Sequence, residues 1–185
     1  MSPEFREYKL FLPLYDGVTK LEVGIDSTAS IEKASPSAVK PIVFYGTSIT
    51  QGGCASRPGM AHTNIISRKL DMDCINYGFS GNGRMETPIV ELISEIDARF
   101  YVIECLQNMD SEQVSERVRP LVDIIRTNHP HTSIVLVENM MYTTAFLNQT
   151  EETILIQENA ALKNEYDKII KNGTPNIFYI KDNKD

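Results

Sequence analysis

Cysteine, histidine and positive charge are all scarce in this chain of 185 residues. The three cysteines, Cys54, Cys74 and Cys105, are an odd number at wide spacing. That argues against a disulfide framework and against a zinc site. Cys105 lies in an apolar run and reads as a small core residue. Lys and Arg total 18 against 25 Asp and Glu, for a net charge of -7. An acidic chain gains nothing from a phosphate backbone, so no nucleic-acid partner is expected. No apolar run reaches the length of a membrane span. Met1-Ser2-Pro3-Glu4-Phe5 lacks the basic-then-apolar order of an export signal, which leaves a secreted or periplasmic location of a longer form open. No cofactor or metal is expected.

What is present suits one domain, or one domain with a fragment of another. Apolar residues make up 42% and charged residues 23%, as in ordinary globular proteins. Tyr8–Pro13 and Val18–Gly24 read as two strands joined by an Asp16-Gly17 turn. Two strands alone are marginal in water and need cover. Ser27–Lys40, rich in Ser, Ala and Pro, reads as a linker.

From Pro41 the pattern alternates. Strands are expected at Ile42–Tyr45, Cys74–Tyr77, Phe100–Ile103, Ser133–Val137 and Asn176–Ile180. Helices are expected at Met60–Leu70, at Thr87–Ile96 with Thr87 as cap and Pro88 in the first turn, at Ser111–Asn128, and at Glu151–Lys171 before Asn172-Gly173. Strands separated by helices imply a parallel sheet with right-handed crossovers. The expected fold is α/β: a three-layer α/β/α sandwich on a flavodoxin-like sheet of five parallel strands, with the short N-terminal strand pair added. Ligands bind such folds at the carboxyl ends of the strands. The loops after Tyr45, Tyr77, Ile103, Val137 and Ile180 are therefore the ones to inspect.

Three of those loops carry suggestive residues. Gly46-Thr47-Ser48-Ile49-Thr50-Gln51-Gly52-Gly53 puts a serine just past a buried strand. Asn76-Tyr77-Gly78-Phe79-Ser80-Gly81-Asn82-Gly83 offers backbone N–H groups to an oxyanion. Glu104-Cys105-Leu106-Gln107-Asn108 offers a carboxamide to the same point. Singly, each also describes a phosphate-binding loop, a turn or a helix cap. Together, in order on three successive strand ends, they favour nucleophilic catalysis.

These blocks resemble those of the SGNH (GDSL-like) hydrolases over about residues 40 to 181. The resemblance implies a serine esterase or acylhydrolase. Ser48 Oγ would attack the ester carbonyl, and Gly81 N–H and the Asn108 amide would complete the oxyanion hole. Gly78 competes with Gly81 for that place. Two departures stand out: Thr47 where the family commonly has Asp before the serine, and Leu106-Gln107 before Asn108 where it usually has Gly. The opening strands resemble the tail of a β-sandwich that precedes this domain in some members. Residues 1–35 are accordingly read as sandwich remnant and linker, and 36–185 as the hydrolase-like domain. That remnant tilts the expected substrate toward an acetylated sugar or other carbohydrate ester rather than a long lipid. The exposed opening strands also suggest pairing into a homo-oligomer.

The resemblance implies a base as well, a histidine three residues after an aspartate beyond the fifth strand. No Asp-x-x-His occurs; neither Asp182 nor Asp185 is followed by His. His129 and His131 fall at the amino end of the sheet, and His62 reads as an exposed helix-start residue. The chain is therefore expected to stop short of that block, to leave one sheet face under-covered and to have little esterase activity as it stands. The loop Asn139–Gln149, with Met140, Met141, Tyr142 and Phe146, is read as either the lining of an acyl or sugar pocket or a packing loop. The rival reading is a non-catalytic flavodoxin-like domain binding an anionic small molecule at the Ser48 loop.

Overall fold

The computed structural model describes residue 4 and residues 6–182; Phe5, Asp185 and the other terminal positions lie outside the described residues. Five strands, β1 (Ile42–Thr47), β2 (Cys74–Phe79), β3 (Phe100–Glu104), β4 (Ser133–Val137) and β5 (Ile177–Ile180), form one sheet in the order β2-β1-β3-β4-β5. Every pairing is parallel. All six residues of β1 are buried, as befits the strand at the switch in strand order. Ligands of such sheets sit beyond the carboxyl ends of the strands at that switch, here β1 and β3.

Side-chain alternation builds two cores. Val43, Tyr45, Tyr101, Ile103, Ile134 and Leu136 face α3 (Thr87–Ile93), α4 (Ser111–Asn128) and α5 (Gln149–Lys171). The stripe Val114, Val118, Leu121, Val122 and Ile125 of α4 is buried against them, as its spacing predicts. An Asp110–Gln113 capping box starts α4, and Asn148 caps α5 by accepting from Glu151 N–H. On the opposite face Ile42, Phe44 and Val102 pack with Ile66 of α2 (His62–Leu70). That face is thinner. Phe178 and Ile180 of β5 are each 52% exposed.

Three local expectations are corrected. Thr87 is the first helical residue of α3 rather than its cap; Glu86 holds the cap position and spends its carboxylate elsewhere. The helix expected from Met60 is split. A 3₁₀ turn covers Pro58–Met60, and Ala61, 1% exposed, takes extended angles before α2 begins. The N-terminal strand pair does not form among the described residues. Instead the segment runs along the helices. Lys9 Nζ donates to Ser67 Oγ (3.0 Å) and Asp73 Oδ1 (2.9 Å), Arg68 lies over the Phe11 ring, and Gln51 Nε2 donates to Leu14 O. An isolated pair has no second surface on which to bury Leu10, Leu12, Leu21 and Val23, which are exposed. The strands that a homo-oligomer was expected to use are therefore not formed.

The α4 stripe should dominate stability. Leu121→Ala should lower the unfolding free energy by about 2–5 kcal/mol. Leu92→Ala, at a position 61% exposed, should change it by less than about 0.5 kcal/mol, both read from urea unfolding midpoints.

Candidate active site

β1 ends in Gly46-Thr47, and Ser48 opens a four-residue helix, α1 (Ser48–Gln51). Ser48 is half-buried. Thr47 supplies the local cap, its Oγ1 accepting from Ile49 N–H at 3.3 Å. The same hydroxyl donates to Gln107 Oε1 at 3.3 Å. The two departures from the usual blocks are thus partners of each other. Thr47 does by hydroxyl what a carboxylate there would do toward Ile49, and its proton ties the nucleophile block to the third block.

The second block is fastened just as closely. Asn76 Nδ2 donates to Thr50 O (2.7 Å) and Thr63 Oγ1 (3.0 Å), pinning α1 and α2 to β2. Its Oδ1 accepts the N–H of Gly78 at 2.9 Å. A Cβ on Gly78 would stand 2.0 Å from Gln51 N. Gly78 is therefore a packing position whose amide is already bonded. Gly81 sits in the turn after β2 with φ +70°, exposed, and its carbonyl accepts from the Arg84 guanidinium at 3.0 Å. Gly83, with φ +72°, is buried; a Cβ there would meet Gly46 O at 2.0 Å.

Asn108 ends a 3₁₀ turn, Leu106–Asn108, beyond β3. Its Nδ2 donates to Asn82 O at 2.6 Å. So the carboxamide is held against the Gly81 turn, and one amide proton is spent there while the second stays available. Ser48 and Asn108 each directly follow a member of the bonded pair Thr47–Gln107. The three loops thus converge at the carboxyl edge of β1 and β3.

Two acids brace this edge from below. Glu86 Oε2 accepts from Tyr45 Oη (2.7 Å) and Arg84 N (2.8 Å). Burial alone would raise the Glu86 pKa. The hydrogen bonds from Tyr45 and backbone amides, with the charge of Arg117, outweigh it and hold the carboxyl below its usual range. On the other face Glu104 Oε2 accepts from Thr50 Oγ1 at 2.8 Å. His62 is half-buried rather than exposed, edge-on to Phe44, with Nε2 3.2 Å from Glu104 Oε2 but without hydrogen-bond alignment. His129 Nε2 lies 2.8 Å from Ser94 O, and His131 precedes β4; both are at the amino edge, away from Ser48. Cys105 is fully buried, and that burial pushes its thiol well above the ordinary value.

The sequence profile of the GDSL-like lipase/acylhydrolase family matches residues 39–185. The chain belongs to that family. A second profile, the N-terminus of SGNH-hydrolase-type esterases, matches residues 1–31. Among solved structures, a GDSL-like lipase from Bacteroides ovatus is 34% identical with a TM-score of 0.89, over 94% of this chain and 52% of that one. A salicylyl-acyltransferase from a tetracycline biosynthetic pathway is 20% identical, with a TM-score of 0.69 over 84% of this chain and 46% of that one. A family two carbohydrate esterase from Clostridium thermocellum, in complex with cellohexaose, is 17% identical, with a TM-score of 0.55 over 80% and 56%. The last two likenesses speak to the fold alone. The chain spans about half the length of each of these structures. No curated protein matches it.

Sequence reasoning put Ser48, Gly81 and Asn108 in strand-end loops, where they lie, but missed the Thr47–Gln107 bond, the backbone approach at Gly83 and the docking of Leu14 on α1. The signal for the first was present: both residues depart from the family pattern. Gly83→Ala should destabilise the fold markedly, because both its positive φ and the Gly46 carbonyl oppose a methyl group; thermal melting checks this. Glu86, depressed in the folded state, contributes stability above its unfolded value, and this is lost as pH falls through the folded one. Glu86→Gln should therefore flatten the acid limb of a stability–pH curve.

Proposed function

We propose that this domain hydrolyses carboxylic esters through an acyl-serine intermediate, with Ser48 as nucleophile. The observation that carries the reading is the convergence of three strand-end loops, fastened by Thr47–Gln107 and by Asn108–Asn82. Ser48 Oγ adds to the ester carbonyl as its proton leaves to a base, and the carbonyl oxygen becomes an oxyanion. The Ser48 and Gly81 N–H groups and the second Asn108 amide proton are the donors that stabilise that oxygen. Collapse expels the alcohol, and water then releases the acid from the acyl-serine.

The base is a separate matter. His62 stands beside Glu104 and edge-on to Phe44, and His129 and His131 lie at the amino edge. Among the described residues no histidine is hydrogen-bonded to Ser48, so residues 1–185 alone should turn over esters slowly. The favoured substrate class is a carbohydrate ester, such as an acetylated sugar. The N-terminal match to SGNH-type esterases and the fold shared with a cellohexaose-bound carbohydrate esterase support this choice.

In a form of the protein that supplies a base, a serine-directed fluorophosphonate should label Ser48, and Ser48→Ala should abolish labelling. In the longest natural form of the protein, Asn108→Ala should lower aryl acetate turnover by about 10²–10³-fold. Copurification of a nucleotide or flavin with no labelling would instead favour an anion-binding domain.

A further inference from the structure

Beyond β4, the chain forms a cavity of about 290 Å³ at the same edge of the sheet. Its wall includes Gln107, Asn139, Tyr142, Ile154, Leu155 and Glu158. Gln107 is the residue bonded to Thr47, so the cavity adjoins the Ser48 block. Asn139 and Glu158 are 1% and 4% exposed, and Asn139 Nδ2 donates to Glu158 Oε2 at 2.9 Å. Asn139 Oδ1 is buried and has no hydrogen-bond partner.

Such an orphan costs free energy unless something donates to it. The surroundings hold it in place. Asn159 accepts the Asn139 N–H (2.8 Å) and donates to the Asn139 carbonyl (2.8 Å), so a second asparagine fixes the backbone while Asn139 Oδ1 stays uncommitted. Gln107 spends its carbonyl on Thr47, which leaves its –NH2 end as a donor. Tyr142 offers a neutral hydroxyl, its pKa raised chiefly by burial. Ile154 and Leu155 add an apolar wall.

We propose that this cavity is a subsite for a polyhydroxylated ring, the sugar part of the ester. The assignment rests on the esterase reading above for its purpose, and on the cavity itself for its chemistry. A ring carrying hydroxyl groups donates to Asn139 Oδ1 and Glu158, accepts from Gln107 and Tyr142, and lays its C–H face on Ile154 and Leu155. An alkyl chain would leave Asn139 Oδ1 desolvated without a donor. A small quaternary cation would satisfy neither Asn139 Oδ1 by hydrogen bonding nor the donors of Gln107 and Tyr142.

Saturation-transfer NMR on the Ser48→Ala chain, with cellobiose, hexanoate and tetramethylammonium as probes, tests this. Transfer to cellobiose alone is expected. Asn139→Leu should weaken it about tenfold or more, the worth of one buried hydrogen bond. Ile154→Trp fills the cavity from its rim without touching the Asn139–Glu158 bond, and should abolish transfer even if Asn139→Leu fails to fold. No transfer to cellobiose, transfer that survives Ile154→Trp, or preferential binding of hexanoate or the cation would each overturn the subsite. Because the Ser48→Ala chain performs no acyl chemistry, these outcomes are independent of the esterase reading, whose failure would appear as absent Ser48 labelling in a form that supplies a base.

Discussion

Backbone meets backbone where β1 ends, and the site depends on that contact. Gly83 brings the turn after β2 against the Gly46 carbonyl, and Gly78 brings β2 against the amide of Gln51. Any Cβ at these two positions would stand 2.0 Å from a main-chain atom. Main chain cannot yield as a flexible side chain can, so the nucleophile helix would have to move. The two glycines therefore fix the distance between the serine block and the turn that carries Gly81. The backbone ladder of β1 and β2, which runs to Thr47 and Phe79, holds the same spacing.

Side chains then stitch the loops at the spacing the glycines allow. Asn76 uses both donors and its acceptor: toward α1, toward α2 and toward its own strand. Thr47 caps α1 and reaches the third block through one hydroxyl. Asn108 closes the circuit on Asn82. Each bond is worth only about 0.5–1.5 kcal/mol net, but buried or half-buried polar groups are costly to leave unpaired. On the proposed reading, their combined effect is to hold the three loops in place before any substrate arrives, which is where oxyanion-type catalysis draws its strength.

Most of the fold was legible because periodicity and strand–helix alternation are strong signals in a buried parallel sheet. Ser111–Asn128 and Ser133–Val137 were read to the residue. The misses have physical causes. Thr87 looked like a cap by residue type, yet the cap position depends on where Glu86 spends its carboxylate, a tertiary contact with Tyr45 across 41 residues. The opening segment has strand-like composition but no sheet edge to join, so contacts with α2 decided its path. His62 read as exposed because a sequence does not show that Glu104, 42 positions later, returns beside it. The positions of Ser48, Gly81 and Asn108 were legible because they fall at strand ends, which topology brings to one edge; their bonding partners were not.

Several carboxylates lie near this edge, and two flank the nucleophile strand closely enough to ask whether either acts as its base. Their hydrogen bonds argue against it. Glu86 accepts from Tyr45 and from a backbone amide through the same oxygen, and its pKa is held low. A base so weak gains little driving force for removing a proton from a serine hydroxyl. Glu104 accepts from Thr50, two residues past Ser48 on the same short helix. A carboxylate that receives a hydroxyl proton donor from the frame of the site is bracing that frame. One acid thus anchors each face of β1, through Tyr45 on one side and Thr50 on the other, and the strand end that carries Ser48 is clamped between them. Rigidity of the nucleophile and its proton transfer are on this view separate functions, assigned to different groups. The described acids provide the first, so changes at Glu86 or Glu104 should act through the position of Ser48 and leave the proton path as it was.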